Sequence, residues 1–129
     1  MSGEKVKILL VEDNLALSGV ICFNLTRGGY QVTPVSNGRE AIEALERGRF
    51  DLVLSDQQMP RMTGIQLCEH IREMPDHAHT PFILLTAKCM ELDVAKLRQR
   101  LGMSAALPKP FSPAELLTLI EESLASNVG

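Results

Sequence analysis

Short runs of apolar residues alternate along the chain with longer stretches in which apolar residues recur every three or four positions. The short runs are typical of buried strands, and the longer period is typical of helices with one buried face. The predicted strands are 6–11, 31–35, 51–55, 82–86 and 105–107. The predicted helices are 14–27, 39–47, 65–73, 90–101 and 114–124. Strands and helices that alternate in this way form a parallel sheet covered by helices on both faces.

Two prolines indicate the order of the strands in this sheet. Proline cannot donate a backbone hydrogen bond to a neighbouring strand, so strands that contain it lie at sheet edges. Pro34 lies within the second strand and Pro108 closely follows the fifth, whereas the apolar first, third and fourth strands are central. If the second strand also neighbours the first, as in a common doubly wound arrangement, the order is 2-1-3-4-5. We therefore predict an α/β fold with a doubly wound, five-stranded parallel sheet in that order. In that order ligands bind beyond the carboxyl ends of the first and third strands.

Residues that stop or start helices support these boundaries. Gly48 and Gly102 follow the second and fourth helices, as is common after a helix C-terminus. Residues 112–115 read Ser-Pro-Ala-Glu, a capping box with proline at the first helical position. The last helix is therefore expected to begin just after Ser112.

The composition is that of one globular domain. The chain has 129 residues, of which 45% are hydrophobic and 22% are charged, a size suited to a single core. We expect one domain over residues 1–129 and no output domain in this chain. The net charge of −3 gives no electrostatic reason to expect binding of nucleic acid or of an anionic membrane.

The cysteines and the first residues of the chain indicate the cellular compartment. Cys22, Cys68 and Cys89 are odd in number and form no C-x-x-C motif, so neither a disulfide framework nor a zinc site is indicated. The first apolar run is interrupted by Lys7 and ends in two acids, which makes it too short for a signal peptide or a membrane span. We expect a cytoplasmic protein.

Charged and hydroxyl side chains follow four of the predicted strands. Glu12 and Asp13 follow the first strand, Asp56 follows the third, Thr86 ends the fourth, and Lys109 lies beyond the fifth. Carboxyl ends of parallel strands meet at one edge of the sheet, so these side chains should converge. Two carboxylates about 4 Å apart repel by about 4 kcal/mol at an effective dielectric near 20. A cation resolves that conflict, and all-oxygen ligation suits Mg²⁺.

A cation at this edge would also make phosphate chemistry possible. It bridges carboxylate and phosphoryl oxygens and offsets their negative charge. Asp56 is then the candidate nucleophile, because carboxylates can form aspartyl phosphates. Lys109 would supply a positive charge to the phosphoryl oxygens, and Thr86 would supply a hydroxyl donor.

Four motifs occur at these positions: VEDN at 11–14, DLVLSDQQMPRMTG at 51–64, LLTA at 84–87 and LPKPF at 107–111. In this order and spacing they resemble the receiver domain of two-component response regulators, a family that includes chemotaxis regulators. The resemblance covers nearly the whole chain. It implies a flavodoxin-like fold and a place in a phosphorelay. The phosphoryl donor it implies is a sensor histidine kinase or a histidine phosphotransfer protein, and sometimes a small phosphodonor.

The resemblance also implies roles for individual residues. Asp56 would be the phosphoacceptor. The implied ligands of Mg²⁺, or of Mn²⁺, are Glu12 through water, Asp13, Asp56 and the backbone carbonyl of Gln58. The implied phosphoryl-binding groups are Thr86, the backbone N–H of Ala87 and Lys109. The Lys109–Pro110 bond would be cis, as in relatives.

The same resemblance implies a signalling role rather than turnover of a substrate. Such a domain catalyses its own phosphorylation and slow dephosphorylation and then changes its binding to a downstream protein. We expect a monomer or weak dimer that binds neither nucleic acid nor membrane directly. The output surface is expected on the fourth helix, fifth strand and fifth helix, because these adjoin Thr86 and Lys109.

One position departs from the family. Receivers commonly carry an aromatic residue three positions before the lysine, where it moves with the threonine and reports phosphorylation. That position here is Ala106. The usual aromatic readout therefore cannot operate, although the phosphoryl chemistry is unaffected. Gln58 and Lys88 stand at positions that influence the lifetime of the phosphoryl group in the family.

Each candidate residue also has a purely structural interpretation. Glu12 and Asp13 precede a helix, where acidic residues are favoured in any case, and Lys109 could be a solvated loop lysine. The convergence of four strand ends favours the functional interpretation. His77 and His79 form an H-x-H pattern in a loop, for which a hydrophilic connection is favoured over a metal site.

Two other functions stay open at this point. The first is a pseudo-receiver that binds a partner constitutively, which Ala106 permits. The second is an aspartate-dependent phosphatase, which usually needs a second acid two residues after the nucleophile. That residue is Gln58, which argues against a phosphatase. The chain has no Walker, dinucleotide-binding or serine-hydrolase motif.

Overall fold

A computed structural model describes residues 5–88 and 92–126 of the chain. The strands are β1 (Lys7–Val11), β2 (Gln31–Val35), β3 (Leu52–Asp56), β4 (Phe82–Thr86) and β5 (Ala105–Pro108). The α-helices are α1 (Leu15–Arg27), α2 (Gly38–Arg47), α3 (Gly64–Arg72), α4 (Val94–Leu101) and α5 (Pro113–Ser126). Within these described ranges, no helix is long and apolar enough to cross a membrane.

The strands form one parallel sheet in the order β2-β1-β3-β4-β5, which confirms the predicted topology. Both prolines lie in edge strands: Pro34 pairs with Leu10 of β1, and Pro108 pairs with Thr86 of β4. The three central strands are almost entirely buried. They can be apolar on both faces because helices cover both sides of the sheet.

The core consists of one layer on each face of the sheet. Leu9 and Val11 of β1 belong to the layer covered by α2, α3 and α4, whereas Ile8 and Leu10 belong to the layer covered by α1 and α5. Each fully buried Leu or Ile contributes roughly 1.5–3 kcal/mol by leaving water. A shift of one residue in β1 would exchange its two layers, so burial on both faces fixes its register.

The helix boundaries follow the capping residues. The Ser112 and Glu115 side chains accept hydrogen bonds from each other's backbone N–H groups at 3.1 and 2.8 Å, which confirms the predicted capping box. The predicted start of the fourth helix, residue 90, lies outside the described residues, and residues 92 and 93 are not helical. Helix α4 begins at Val94, because the Asp93 side chain caps it by accepting from the Lys96 N–H at 3.0 Å. Residues 89–91 lie outside the described part.

The connection between α3 and β4 differs from the prediction. Residues 75–77 form a 3-10 turn, and His77 is only 2% exposed. Its Nδ1 lies 3.2 Å from Thr80 Oγ1, and its Nε2 lies 3.2 Å from the Leu45 carbonyl oxygen. The expected hydrophilic connection is therefore wrong at His77, whose two ring nitrogens both have partners inside the fold. His77 joins no group of potential metal ligands in the described residues.

Candidate functional site

Three carboxylates meet at the carboxyl ends of β1 and β3. Glu12, Asp13 and Asp56 each offer an oxygen atom, and these oxygens lie within 4.8 Å of one another. Glu12 is 2% exposed and Asp56 is 3% exposed, whereas Asp13 is exposed. The cluster is thus a largely buried acidic site with one side open to solvent.

Strand pairing explains this meeting. Val11, the last residue of β1, pairs with Ser55 of β3, so the residues that follow these positions emerge side by side. The Glu12 N–H donates to the Val35 carbonyl at 3.1 Å, which continues the ladder beyond β1. The Glu12 carboxylate in turn accepts from the Asn14 N–H at 3.1 Å, which fixes its direction at the start of α1.

The loop after β3 packs against the strands so closely that Gly64 cannot carry a side chain. A Cβ atom at Gly64 would lie 2.5 Å from the Asp56 carbonyl oxygen and 2.6 Å from Leu84 Cδ1. Both distances are far inside van der Waals contact. The glycine therefore lets the loop fold back over β3 and hold Asp56 at the base of the site.

Lys109 directly follows the edge strand β5 and reaches the carboxylates from there. Its backbone N–H donates to the Thr86 carbonyl at 3.0 Å, and its peptide bond to Pro110 is cis, as the resemblance implied. Its Nζ lies 2.6 Å from Asp56 Oδ1 and 3.5 Å from Glu12 Oε1. One ammonium group is therefore shared between the two buried carboxylates.

This arrangement perturbs two of the ionisable groups. Burial raises the pKa of Glu12; the Asn14 N–H and Lys109 lower it, and nearby Asp56 raises it further. Burial acts to lower the pKa of Lys109, but its contacts with Asp56 and Glu12 outweigh that effect and raise it. The Lys109 side chain is therefore held in its protonated, positively charged form. The positive charge near the three carboxylates is too small to balance their negative charge.

The carboxylates fit a hard divalent cation. Asp56 Oδ1 is buried and, apart from its ion pair with Lys109, has no hydrogen-bond partner among the described residues. If all are ionised, three carboxylates face one ammonium group, which leaves two negative charges without compensation. Oxygen-only donors and an exposed edge that can admit water are the surroundings that Mg²⁺ prefers.

Thr86 lies beside the site, but its hydroxyl is engaged elsewhere. The residue is fully buried, and its Oγ1 makes hydrogen bonds with the Gln58 side chain and with the Lys88 N–H. Ala87 follows it at the exposed end of the strand. The structure thus brings Glu12, Asp13, Asp56 and Lys109 into one cluster, with Thr86 and Gln58 as an adjoining pair.

Two features of this region escaped the sequence analysis. The contact between Gln58 and Thr86 joins residues 28 positions apart, and neither residue type signals it. The second is an apolar groove of about 440 Å³ between α1 and the start of α5, which reaches Lys109. A sequence signal for the groove did exist, because α1 carries apolar residues on its outer face: Leu15, Val20 and Phe23 are 77%, 57% and 62% exposed.

Ala106 occupies a partly buried position in β5. It pairs with Leu84 of β4 and packs against the core layer under α4. A shallow hollow of about 430 Å³ lies beside α5 and is lined by Ala106, Leu107 and Thr118 among others.

Comparison with known families gives a direct match. The family described as "Response regulator receiver domain" matches residues 8–121. The alkaline phosphatase synthesis transcriptional regulatory protein PhoP of Bacillus subtilis (strain 168) is 36% identical over 110 residues, which are 85% of this chain and 45% of PhoP. The probable transcriptional regulator ycf29 of Porphyra purpurea is 39% identical over 114 residues, covering 88% and 54%. The chain thus spans about half the length of these curated relatives.

Solved structures agree with this match. The chemotaxis response regulator CheY4 of Vibrio cholerae superposes with a TM-score of 0.85 at 30% identity, over 93% of this chain and 99% of that one. The receiver domain of the sensor histidine kinase PA1611 from Pseudomonas aeruginosa PAO1 gives a TM-score of 0.84 at 34% identity, over 95% and 99%. That structure has a magnesium ion coordinated in its active site cleft.

Proposed function

The chain belongs to the family of response regulator receiver domains, and from this premise we propose that it is a phosphorylation-controlled switch. It accepts a phosphoryl group on Asp56 in a Mg²⁺-dependent reaction and then changes its binding to a partner protein. The observation that carries the proposal is the position of Asp56. Its carboxylate lies in a buried acidic cluster, 2.6 Å from the Lys109 ammonium.

The proposed metal ligands are Asp13, Asp56, the backbone carbonyl of Gln58 and, through water, Glu12. The clustering of three carboxylates supports this set. Mg²⁺ is the expected ion, and Mn²⁺ would serve as a substitute because it takes the same oxygen ligands. When bound, the ion offsets the carboxylate charge that would otherwise repel an anionic phosphodonor.

The chain's own groups account for the transfer step. A carboxylate oxygen of Asp56 attacks phosphorus, the bond from phosphorus to the donor's histidine nitrogen breaks, and that nitrogen leaves with the electron pair. Lys109 holds its ammonium beside the receiving carboxylate and balances the charge that arrives on the phosphoryl oxygens. Thr86 and the Ala87 N–H are proposed to donate hydrogen bonds to those oxygens.

The surroundings of the site support a protein as the phosphodonor. The apolar groove reaches Lys109, and next to it α1 exposes large apolar side chains. Exposed apolar patches of this kind mark surfaces that bind other proteins. We therefore assign donor docking, by a sensor histidine kinase or a histidine phosphotransfer protein, to α1 and the groove beside it.

The proposal extends to the domain as a whole. Residues 1–129 form one receiver domain in it, acting in the cytoplasm as a monomer or weak dimer without direct contact to nucleic acid or membrane. Phosphorylation alters the surface of α4, β5 and α5, which adjoins Thr86 and Lys109. The domain works as a phosphoacceptor that is slowly dephosphorylated, rather than as an enzyme that turns over a substrate.

One observation favours a second candidate, a constitutive partner-binding module. Ala106 leaves the sheet edge without the aromatic side chain that reports phosphorylation in relatives. In this alternative the acidic cluster binds metal, but partner binding is independent of phosphorylation. Equal partner affinity before and after phosphorylation would favour the alternative.

The proposal is tested by measuring intact mass after incubation with acetyl phosphate. We expect one added phosphoryl group with Mg²⁺ and none in EDTA, since the metal offsets the charge of the cluster. The Asp56→Asn variant should gain nothing, while Glu46→Gln, which removes one acid from an exposed position on α2, should be labelled like wild type. Stoichiometric Mg²⁺-dependent labelling of Asp56→Asn would overturn the assignment of the phosphoacceptor.

A further inference from the structure

The side chain of Gln58 fills the hydrogen-bonding capacity of the Thr86 hydroxyl. Gln58 Nε2 donates to Thr86 Oγ1 at 3.1 Å, and Oγ1 donates to Gln58 Oε1 at 3.3 Å. The Lys88 N–H donates to the same Oγ1 at 3.0 Å. A hydroxyl has one proton to donate and two lone pairs to accept with. All three are therefore committed, and the only proton points to Gln58.

Anchored neighbours hold this pair in place. The Gln57 N–H donates to the Leu85 carbonyl at 2.8 Å, and the Gln57 carbonyl accepts from Met59 and Gly64 at 3.1 and 3.2 Å. Met59 is 7% exposed and Thr86 is fully buried. Gln58 is itself exposed, but it lies between Gln57 and Met59, whose backbones are held by these hydrogen bonds. Because Gln58 is exposed and Thr86 is buried, the Gln58 amide lies between the hydroxyl and the solvent.

We propose that Gln58 is a positioning residue, a latch that keeps the Thr86 hydroxyl from the phosphoryl site until Asp56 is phosphorylated. The inference rests on the proposed function, in which Thr86 donates to a phosphoryl oxygen. The hydroxyl cannot give its one proton to Gln58 Oε1 and to a phosphoryl oxygen at the same time. Phosphorylation must therefore break the latch, and the latch stabilises the unphosphorylated state.

The latch also offers a readout that needs no aromatic residue. Ala106 has no side chain that could move when Thr86 moves. Gln58 lies at the surface beside the site, so its amide changes partners when the hydroxyl turns toward the phosphoryl group. The released amide then presents a new donor and acceptor to a partner protein.

The latch predicts a gain of affinity when it is removed. Beryllofluoride, which stands in for the phosphoryl group on a carboxylate, would be titrated at saturating Mg²⁺ by isothermal calorimetry. Gln58→Met keeps the approximate length of the side chain but has no hydrogen-bond donor, and its thioether sulfur is only a weak acceptor. A net hydrogen bond corresponds to roughly fivefold in an equilibrium constant, so we expect Gln58→Met to bind beryllofluoride about fivefold more tightly. The Mg²⁺ affinity of each protein is measured first, because the backbone carbonyl of Gln58 is a proposed ligand, and each titration is run at a concentration that saturates that protein.

The same substitution in a protein without the Thr86 hydroxyl separates the effect of the hydrogen bonds from the effect of side-chain bulk at position 58. Thr86→Val keeps the shape of the side chain but has no hydroxyl, so adding Gln58→Met to it should change beryllofluoride affinity by less than about twofold. The NMR signals of the Gln58 side-chain amide should also shift in wild type when beryllofluoride is added. An equal gain in the Thr86→Val background would overturn the latch, because Gln58 would then act through bulk alone.

The beryllofluoride titrations also distinguish failure of the latch from failure of the proposed function. If wild type binds beryllofluoride but Gln58→Met binds it no more tightly, the latch is wrong and the proposed function stands. If wild type does not bind beryllofluoride with Mg²⁺, the proposed function fails and the latch fails with it.

Discussion

Replacing Asp13 by asparagine should make the metal-free protein more stable. Asp13 is the exposed member of the acidic cluster, and the ion pairs of Lys109 are with Glu12 and Asp56. Removing the Asp13 charge thus relieves repulsion and breaks no ion pair among residues 5–88 and 92–126. Asparagine has almost the same shape as aspartate, so packing around the position should hardly change.

The size of the effect follows from the separation of the carboxylates. Their oxygens lie within 4.8 Å of one another, where two unit charges repel by about 3.5 kcal/mol at an effective dielectric of 20 and by about 0.9 kcal/mol in water. Solvent screens the exposed Asp13 strongly, so the lower value applies. We expect a gain of about 1 kcal/mol, or roughly 3–5 °C in melting temperature for a chain of this size.

The assay is urea unfolding in EDTA and again in saturating Mg²⁺. In EDTA, Asp13→Asn should be the more stable protein. With Mg²⁺ at about 100 times its Kd, wild type gains about 2.7 kcal/mol and the variant gains less, so the order should reverse. The Glu46→Gln control, which changes net charge equally, should stay within about 0.5 kcal/mol of wild type. Equal or lower stability of Asp13→Asn in EDTA would show that Asp13 does not destabilise the metal-free cluster.

Three further predictions concern other parts of the molecule. Phe23→Glu places a charge on the exposed apolar face of α1 and should slow phosphotransfer from a phosphohistidine protein at least about tenfold. Labelling by acetyl phosphate should be unchanged, and equal slowing with both donors would contradict a docking role for α1. The Arg72 guanidinium donates to the Leu101 and Gly102 carbonyls at the end of α4, so Arg72→Met should lower the free energy of unfolding by about 2–4 kcal/mol in urea melts, and an unchanged urea midpoint would argue against that anchoring. Burial raises the pKa of the Cys68 thiol to about 11, so the folded state keeps its proton at a pH where the unfolded state loses it. Stability should therefore be unaffected below about pH 9 and fall by roughly 2–3 kcal/mol between pH 9 and 11, and Cys68→Ala should lose that part of the slope. Identical slopes would show that the pKa of the thiol is the same in the folded and unfolded states.

The edge strands and the acidic cluster could be predicted from sequence because local rules decide them, whereas the full strand order also required a known doubly wound arrangement as a template. Pro34 and Pro108 cannot serve in central strands, and alternating strands and helices leave few parallel topologies. The carboxyl ends of parallel strands meet at one edge, so Asp13 and Asp56 had to converge once the order was known. The same applies to the capping box at Ser112, whose two hydrogen bonds join residues three positions apart.

Other features depend on contacts that no local pattern encodes. His77 lies in a polar stretch, but the fold places it against the Leu45 carbonyl, 32 residues away. The spacing of apolar residues predicts a helix start near residue 90, whereas the cap formed by Asp93 sets the start of α4 at Val94. The pairing of Gln58 with Thr86 arises because the loop after β3 meets the end of β4. Neither residue type indicates that contact in the sequence.

The most direct test of the account is to locate the phosphoryl group chemically in the unmodified sequence. After reaction with acetyl phosphate and Mg²⁺, borohydride reduces an aspartyl phosphate to homoserine, and peptide mass spectrometry then identifies the converted residue. We expect homoserine at position 56 alone, and only when Mg²⁺ is present. Homoserine at position 13, or a phosphoryl group stable to borohydride on another residue type, would contradict it.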